Sequence, residues 1–570
     1  MEHQKIELPP KYYLDNFRYL LRFVRDKYAS ILNEAELLFL EKFNALPEDA
    51  QCLFIRFCNR RGAFFKIKKL NYSEITNIPA CIESLLLAQF IEPISIRHFS
   101  RAGELLDIFT KAELLSLGKT LQQDIRGKAS VKKEELLDWF LENIDFQEVT
   151  SLLESEIIKV NFEQETMMLK FLFFGNRHAE MTEFVMRDLG IRQYQEFDED
   201  KLVAQFATRQ EAEDRLLISI AKEDFFLMQE ANIEPIDLYN WFIDWSDKHR
   251  TDLSEVALPS YERLMLRVGI YLERQKLFDH ALSIFRLTNE PPSRERQVRI
   301  LYKTKNIEEA RVLCQQIAFE PKNADEHFFA IDFVSRLEAE LQKKRIKKST
   351  TQQLHKSDSI MIDVTWKYQV EAGTIDYYVQ QGSNAIFSEN HLWRSIFGLL
   401  FWDIVFDTDS MAIHHPLQRT PSDLYKPQFW EKRRNRLIER LELLENQEVL
   451  NSHINQMLAE KTGSVNPLID WFEGTAEVIR VVFNRIPISI LGKILLEMAK
   501  NMRENTHGFP DLFTWTDDSY EFIEVKSPTD NLSAQQLFWL HFFEKIGLNA
   551  KVLRVGWKEV QADYPIEHEG

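Results

Sequence analysis

The sequence predicts a multidomain, mainly α protein that ends in an α/β domain. Three observations carry this. Only 17 Gly and 18 Pro stand beside 42 Phe in 570 residues, a balance that favours packed helices over long loops. Hydrophobic residues make up 45% of the chain, enough for several large cores, and a chain this long is expected to form about three to five domains. Strand alternation is clearest near the C-terminus, at 520–526 and 551–555, whereas 150–350 reads as helical throughout.

Taken in order, residues 1–50 read as helices at 13–31 and 33–46, the second capped near Asn33. Residues 51–100 give a helix at 51–59, an aromatic and basic extended piece at 63–70, then helices through Ser73 and at 82–88. That order suits a winged-helix module. Its stretch 56–69 carries Arg56, Arg60, Arg61, Lys66, Lys68 and Lys69 without an acid, which makes these the first candidates for DNA phosphate contacts. Phe57, Phe64 and Phe65 read as core. Residues 101–147 hold two helices, 112–121 and 131–140, about a turn at 126–128. Lys128, Lys132 and Lys133 gather there, where a helix start attracts phosphate; a plain helical hairpin with solvated lysines is the other reading. Residues 148–350 form a helical, tetratricopeptide-like region. In it Tyr271…Ala281 and Tyr302…Ala310 look like imperfect repeats, the alanines 29 residues apart. A polar stretch at 350–358 marks a boundary. Beyond it, 388–393 opens a helix that continues as apolar 396–406, a long amphipathic helix covers 428–457, and another runs 487–502 with Pro487 at its start.

The net charge of −18 disfavours phosphate contact by a uniform surface. The charge is uneven, however: 56–69, 343–348 and 432–436 are basic runs, and the acid is heaviest at 195–255. For the second and third runs a solvated helix face is an equal reading. The four cysteines are too few and too irregular for a disulfide framework or a zinc module. The first ten residues lack an apolar signal core. The most apolar stretch, 396–406, is short and contains Asp403, so it reads as a core helix. A soluble, intracellular protein without a membrane partner is expected.

The chemistry concentrates at Gly508-Phe-Pro-Asp511 and, after twelve intervening residues, Glu524-Val525-Lys526. The run 511–515 is apolar, 516–519 is turn chemistry, and 520–526 alternates, which together predict a β-hairpin. Residues two apart on a strand share a face, so Glu524 and Lys526 point the same way and Asp511 converges from the partner strand. This has the form of a PD-(D/E)xK nuclease site. Two carboxylates can hold a hard divalent cation, and a neighbouring ammonium can orient the attacking water. An Asp with an alternating Glu-x-Lys also occurs on solvated sheet faces. A loop at 527–531, a helix from Ser533 to 546 and a strand at 551–555 complete a βββαβ order. Gln536 is either the capping-box partner of Ser533 or a polar contact to the site.

These motifs resemble the Fanconi-associated nucleases, which carry a virus-type replication-repair nuclease domain. Gly508-Phe-Pro-Asp-Leu512, Glu524-Val-Lys-Ser-Pro528 and Leu532-Ser-Ala-Gln-Gln-Leu-Phe-Trp-Leu540 are similar to the catalytic blocks of that domain. Ser388-Glu389 followed by 397–406 resembles its upstream acidic helix. Residues 53–75 look like the family's winged helix and 105–141 like its SAP-type unit. The implied domains are 1–50, a winged-helix-like 51–100, a SAP-like 101–147, a helical 148–350 and a nuclease domain 351–570 with its core at 385–570. The resemblance implies Glu389, Asp511, Glu524 and the Val525 carbonyl as metal ligands, Lys526 as the catalytic lysine and Mg²⁺ or Mn²⁺ as cofactor. It implies cutting at 5′ flaps and 5′-to-3′ exonuclease action in interstrand crosslink repair. A Holliday-junction-type resolvase and a non-catalytic helical-repeat scaffold are the alternatives. No Cys/His cluster precedes residue 50, so ubiquitin binding through the zinc finger of animal members is not expected. The expected location is cytoplasmic and nucleoid-associated in a bacterium, nuclear in a eukaryote.

Overall fold

The computed structural model describes residues 7–341 and 348–558; the basic run 343–348 lies outside them except for Lys348. The chain divides into two compact units, Met1–Arg192 with Ala204–Ala212, and Gln193–Val203 with Glu213–Gly570.

The first unit begins with helices Tyr12–Tyr28, Glu34–Ala45 and Glu48–Cys58. Asn33 and Glu36 close a reciprocal capping box that fixes where the second starts. Residues 71–77 are not helical; the next helix, Ile78–Leu87, starts only where the Asn77 side chain caps it. Strands β1 (Phe64–Lys66), β2 (Ile91–Pro93) and β3 (Ile157–Val160) form an antiparallel sheet in the order β1-β3-β2. The central strand corrects the expectation that nothing between 150 and 350 is extended. With only four residues, and Ile157, Ile158 and Val160 all buried, it has too little length and too little polar alternation to register as a strand in sequence. The sheet therefore draws on residues on both sides of the expected boundaries at 100 and 147. Between β2 and β3, helices Lys111–Thr120 and Lys133–Asn143 flank a turn in which Gly127 has φ +77°.

The second unit contains the helical region and the nuclease fold. Helices Leu258–Arg274, Phe278–Phe285, Ser293–Lys303 and Ile307–Phe319 build one core. Ala281 and Ala310 are fully buried in it, and Tyr271 and Tyr302 pack against it. A small side chain at the crossing and an aromatic before it are what the repeat pattern required. A five-stranded sheet follows: β4 (Asp358–Asp363), β5 (Asn384–Phe387), β6 (Leu512–Trp515), β7 (Tyr520–Lys526) and β8 (Ala550–Lys558), in the order β4-β8-β7-β6-β5. β5–β6 and β6–β7 are antiparallel; β7–β8 and β4–β8 are parallel. β7 lies at the centre, and residues 522–526 are buried on both faces, so its polar residues are interior ones.

Two expected helices are interrupted. The stretch 428–457 is Pro427–Leu443 followed by Gln447–Lys461, because the Asn446 side chain accepts from the Glu448 and Val449 N–H groups and starts a new helix. The stretch 396–406 breaks at Phe401 between Asn390–Leu400 and Trp402–Val405. Asp403 leaves that apolar face to pair with Arg440 at 2.7 Å. No helix among the described residues is long and apolar enough to cross a membrane.

Candidate active site

The hairpin β6–β7 forms with Leu512 opposite Ile523. This register sets Asp511 beside Val525, whose N–H donates to Asp511 Oδ2 at 2.8 Å. One residue further on either side of Val525, Glu524 and Lys526 share the other face. Lys526 Nζ lies 2.7 Å from Glu524 Oε1, and Gln536 Nε2 donates to the same oxygen at 2.6 Å. Gln536 Oε1 meanwhile accepts from the Ser533 N–H at 2.9 Å. Both readings of Gln536 therefore hold together: the capping box locks the side chain in the rotamer that reaches Glu524.

Glu389 lies more than a hundred residues upstream, and β5 brings it to the site. Phe387 pairs with Leu512. Ser388 then continues the seam, its N–H donating to the Asp511 carbonyl at 2.8 Å and its Oγ to the Pro510 carbonyl at 3.0 Å. Ser388 is thus part of the sheet seam and not a helix cap; Glu389 holds the cap position, without a side-chain cap bond. Asn390 reinforces the junction by accepting from the Phe509 N–H at 3.2 Å and donating to Glu389 Oε1 at 3.1 Å.

Beneath these groups Phe509 is sandwiched between two tryptophans. Its ring stacks on Trp539 at 4.1 Å and on Trp393 at 5.1 Å. Trp393 lies one turn after Glu389 and Trp539 one turn after Gln536, so one aromatic stack ties three catalytic elements together. Gly508 is required for the approach: it has φ +81°, and a Cβ there would sit 2.9 Å from the Gln535 carbonyl carbon.

The electrostatics follow from burial. Glu524 is 0% exposed. Burial pushes its carboxyl up to about 8, the Asp511 charge adds to the rise, and Lys526 opposes it. Burial also lifts Asp511 to about 6, against the Val525 N–H and Lys526, while Glu371 and Glu389 add to the rise. Glu371 is a residue that the sequence reading missed. It sits in the first turn of helix Val370–Gln380, where an acid reads as an ordinary dipole partner, and no strand was expected after that helix to aim it at the site. Among the described residues no three acids, histidines or cysteines already stand as a closed metal cage. The donor set nevertheless fits a hard cation. Glu524 Oε2 is buried with no hydrogen-bond partner, an arrangement that costs several kcal/mol unless a cation or proton compensates it.

The expected DNA-binding residues fare unevenly. Arg56 pairs with Glu74 at 2.5 Å, Lys66 and Lys69 both pair with Glu113 at 2.8 Å, Lys68 with Glu156 at 2.5 Å and Lys133 with Asp107 at 2.6 Å. The acid-free run is therefore neutralised by acids from elsewhere in the fold. Lys66 is the most committed, 13% exposed and 3.8 Å from the Phe109 ring centroid. Lys68, 76% exposed, is held only by a surface pair, a class worth about 0–1 kcal/mol. Arg61 and Lys132 are exposed, while Arg60 lies over Tyr72 and Lys128 over Trp139. In the third basic run, Arg433 is buried against Asp423, the Ile404 carbonyl and Ser410, and Arg436 pairs with Asp407. Those two arginines are structural.

Two family models match the chain at its two ends: the "FAN1, HTH domain" at residues 11–92 and the VRR-NUC domain at 445–557. Between and beyond them, the Fanconi-associated nuclease 1 homolog of Pseudomonas aeruginosa is 26% identical over 96% of both chains. The chain is thus similar to Fanconi-associated nucleases along nearly its whole length. The homolog of Arabidopsis thaliana is 24% identical over 97% of this chain and 68% of its own length. The crystal structure of paFAN1 with a 2-nucleotide 5′ flap DNA shares the fold at a TM-score of 0.81 and 24% identity, over 97% of this chain and 100% of that one. With its VRR-NUC domain the chain is a DNA nuclease, and that domain implies dependence on a divalent metal.

Proposed function

We propose that this nuclease is structure-selective, cuts at 5′ flaps, degrades DNA 5′ to 3′ and serves interstrand crosslink repair, with Mg²⁺ or Mn²⁺ as its ion. The observation that carries the hydrolytic reading is the buried Glu524 carboxylate, with one oxygen held by Lys526 and Gln536 and the other without a partner. In this reading Asp511, Glu524, Glu389 and the Val525 carbonyl would hold the metal, and Glu371 adds negative charge to the surroundings of Asp511. Bound there, a divalent cation lowers the pKa of a coordinated water and neutralises charge on the scissile phosphate. Gln536 fixes the Glu524 rotamer, and the Val525 N–H orients Asp511. The Lys526 ammonium, 8% exposed, steers the attacking water and faces the charge that develops on phosphate.

The flap preference draws support from the paFAN1 complexes with flap DNA and from a cavity in the same unit where six cations stand beside five carboxylates, Glu255, Glu262, Glu290, Asp423 and Glu504. Arg263, Lys426, Lys432 and Arg503 line about 810 Å³. Arg503 precedes the Pro510-Asp511 motif on the chain. Burial depresses Arg263 and Lys426, and neighbouring arginines depress them further. A phosphate of the flap strand would relieve that repulsion. Winged-helix-like and SAP-like units that share one sheet would hold the duplex arms, with Arg60, Arg61, Lys68, Lys128 and Lys132 as the candidate phosphate contacts least committed within the protein.

The test compares 5′-flap, Holliday-junction, single-stranded and nicked duplex substrates in Mg²⁺ and in Mn²⁺, with Asp511→Ala alongside. Flap cutting that requires the ion and is lost in Asp511→Ala, with DNA affinity kept, is expected. Preferred cutting of the junction would make the protein a resolvase. Absence of cutting under every condition would leave a helical-repeat scaffold.

A further inference from the structure

We infer that the solvent face of the first helix, together with Arg187, is a seat for the phosphate backbone of duplex DNA. In helix Tyr12–Tyr28 the buried face carries Phe17, Leu20, Leu21 and Val24, while Arg18, Arg22 and Arg25 recur on the exposed face. Arg187, from helix Thr182–Asp188, closes the other side of a concavity of about 590 Å³. Four arginines and one carboxylate, Asp15, line it.

The pairing of these arginines differs from that of the run 56–69. Arg18 is held by the neutral Gln51 amide oxygen at 2.7 Å. Arg22 meets no carboxylate among the described residues and rests only 5.3 Å from the Tyr19 ring centroid. Arg25 reaches Asp26 at 3.5 Å, both more than half exposed. Arg187 has its neighbour Asp188 at 2.7 Å, and that acid is shared with the Asn16 amide. Guanidinium groups left this open on an acidic protein are suited to bidentate phosphate recognition. The spacing agrees: Arg18 to Arg25 spans about 10.5 Å along the helix axis, and one DNA strand presents a phosphate about every 3.4 Å of duplex axis. A duplex is favoured over an acidic protein segment because the chain is a nuclease and because its most basic run is already occupied by Glu74, Glu113 and Glu156.

This inference rests on the nuclease reading but is tested separately from it. In an Asp511→Ala background that does not cut, the variant Arg22→Gln/Arg25→Gln/Arg187→Gln is titrated with a plain duplex at a series of salt concentrations. The slope of log affinity against log salt should fall by about 2.7, three contacts at about 0.9 each. The matching triple Arg→Lys variant should keep the slope. Both should melt with the parent protein. An unchanged slope in the glutamine variant, or equal losses in both variants, overturns the seat. If the seat fails while the wild-type protein still cuts flaps, the nuclease reading stands. If the wild-type protein cuts nothing, that reading falls whatever the slopes are.

Discussion

At Glu524 a carboxylate sits in the protein interior with one oxygen doubly bonded and the other bare. Without a metal that geometry is a liability, and its sign can be worked out. The folded carboxyl titrates near 8 instead of 4.5, so the folded state keeps a proton that the unfolded chain has released. Metal-free stability should therefore fall as pH rises from about 4.5 to about 8. Glu524→Gln removes this group's contribution. In chelator, the variant should melt above the wild type at pH 8, and the gap should close towards pH 5. Adding a divalent cation should raise the wild-type melting temperature and leave the variant nearly unmoved. A variant that melts below the wild type at pH 8 would show that the bare oxygen has a partner. Glu389 is open to the same kind of check: Glu389→Gln should lower cleavage by orders of magnitude and weaken metal affinity with melting nearly unchanged, since no side-chain cap bond is lost.

At the scale of the element, the site depends on three pieces of chain held by one aromatic stack. Phe509 between Trp393 and Trp539 fixes the Gly508–Asp511 loop against the helices that follow Glu389 and contain Gln536. Phe509→Ala should cost about 3–5 kcal/mol, the range for emptying a buried aromatic site, read from the urea midpoint. It should also lower kcat for cleavage in conditions where the variant remains folded. If kcat is unchanged, the loop holds Asp511 without the stack. The strand elements have the same logic. Ser388 bonds both Pro510 and Asp511, so the first of the expected ligands is placed by sheet pairing. Helix capping has no part in it.

At the scale of the molecule, an acidic chain must present phosphate contacts locally, and the ion pairs decide which cations are free. Lys66 and Lys68 lie two apart in sequence, yet the first is 13% exposed against Phe109 and the second 76% exposed. Lys66→Gln should lower the melting temperature and leave the salt dependence of DNA binding alone. Lys68→Gln should do the reverse, with the salt slope falling by about 0.9 if Lys68 contacts one phosphate. Equal effects from the two variants would mean that burial does not sort this run.

The sequence by itself determined the hairpin, its Asp511, Glu524 and Lys526, the following helix with Gln536, and the mainly helical body. All of these rest on short-range rules: period two in a strand, capping residues, turn chemistry and helical spacing. It also carried the resemblance to the Fanconi-associated nucleases, through motifs that are local. Tertiary structure decided the rest. β3 and β5 are four residues each, too short to show alternation, and become strands only because partners supply their hydrogen bonds. β4 has six, yet it begins at Asp358, where the polar stretch 350–358 ends, and was not read as a strand. Asn446 broke a helix that hydrophobic periodicity alone would have continued. Glu371 reached the site only through its charge beside Asp511. The basic run 56–69 lost most of its free charge to Glu74, Glu113 and Glu156, and the arginines of the first helix kept theirs, because an ion pair is set by distance in space and the sequence records distance only along the chain.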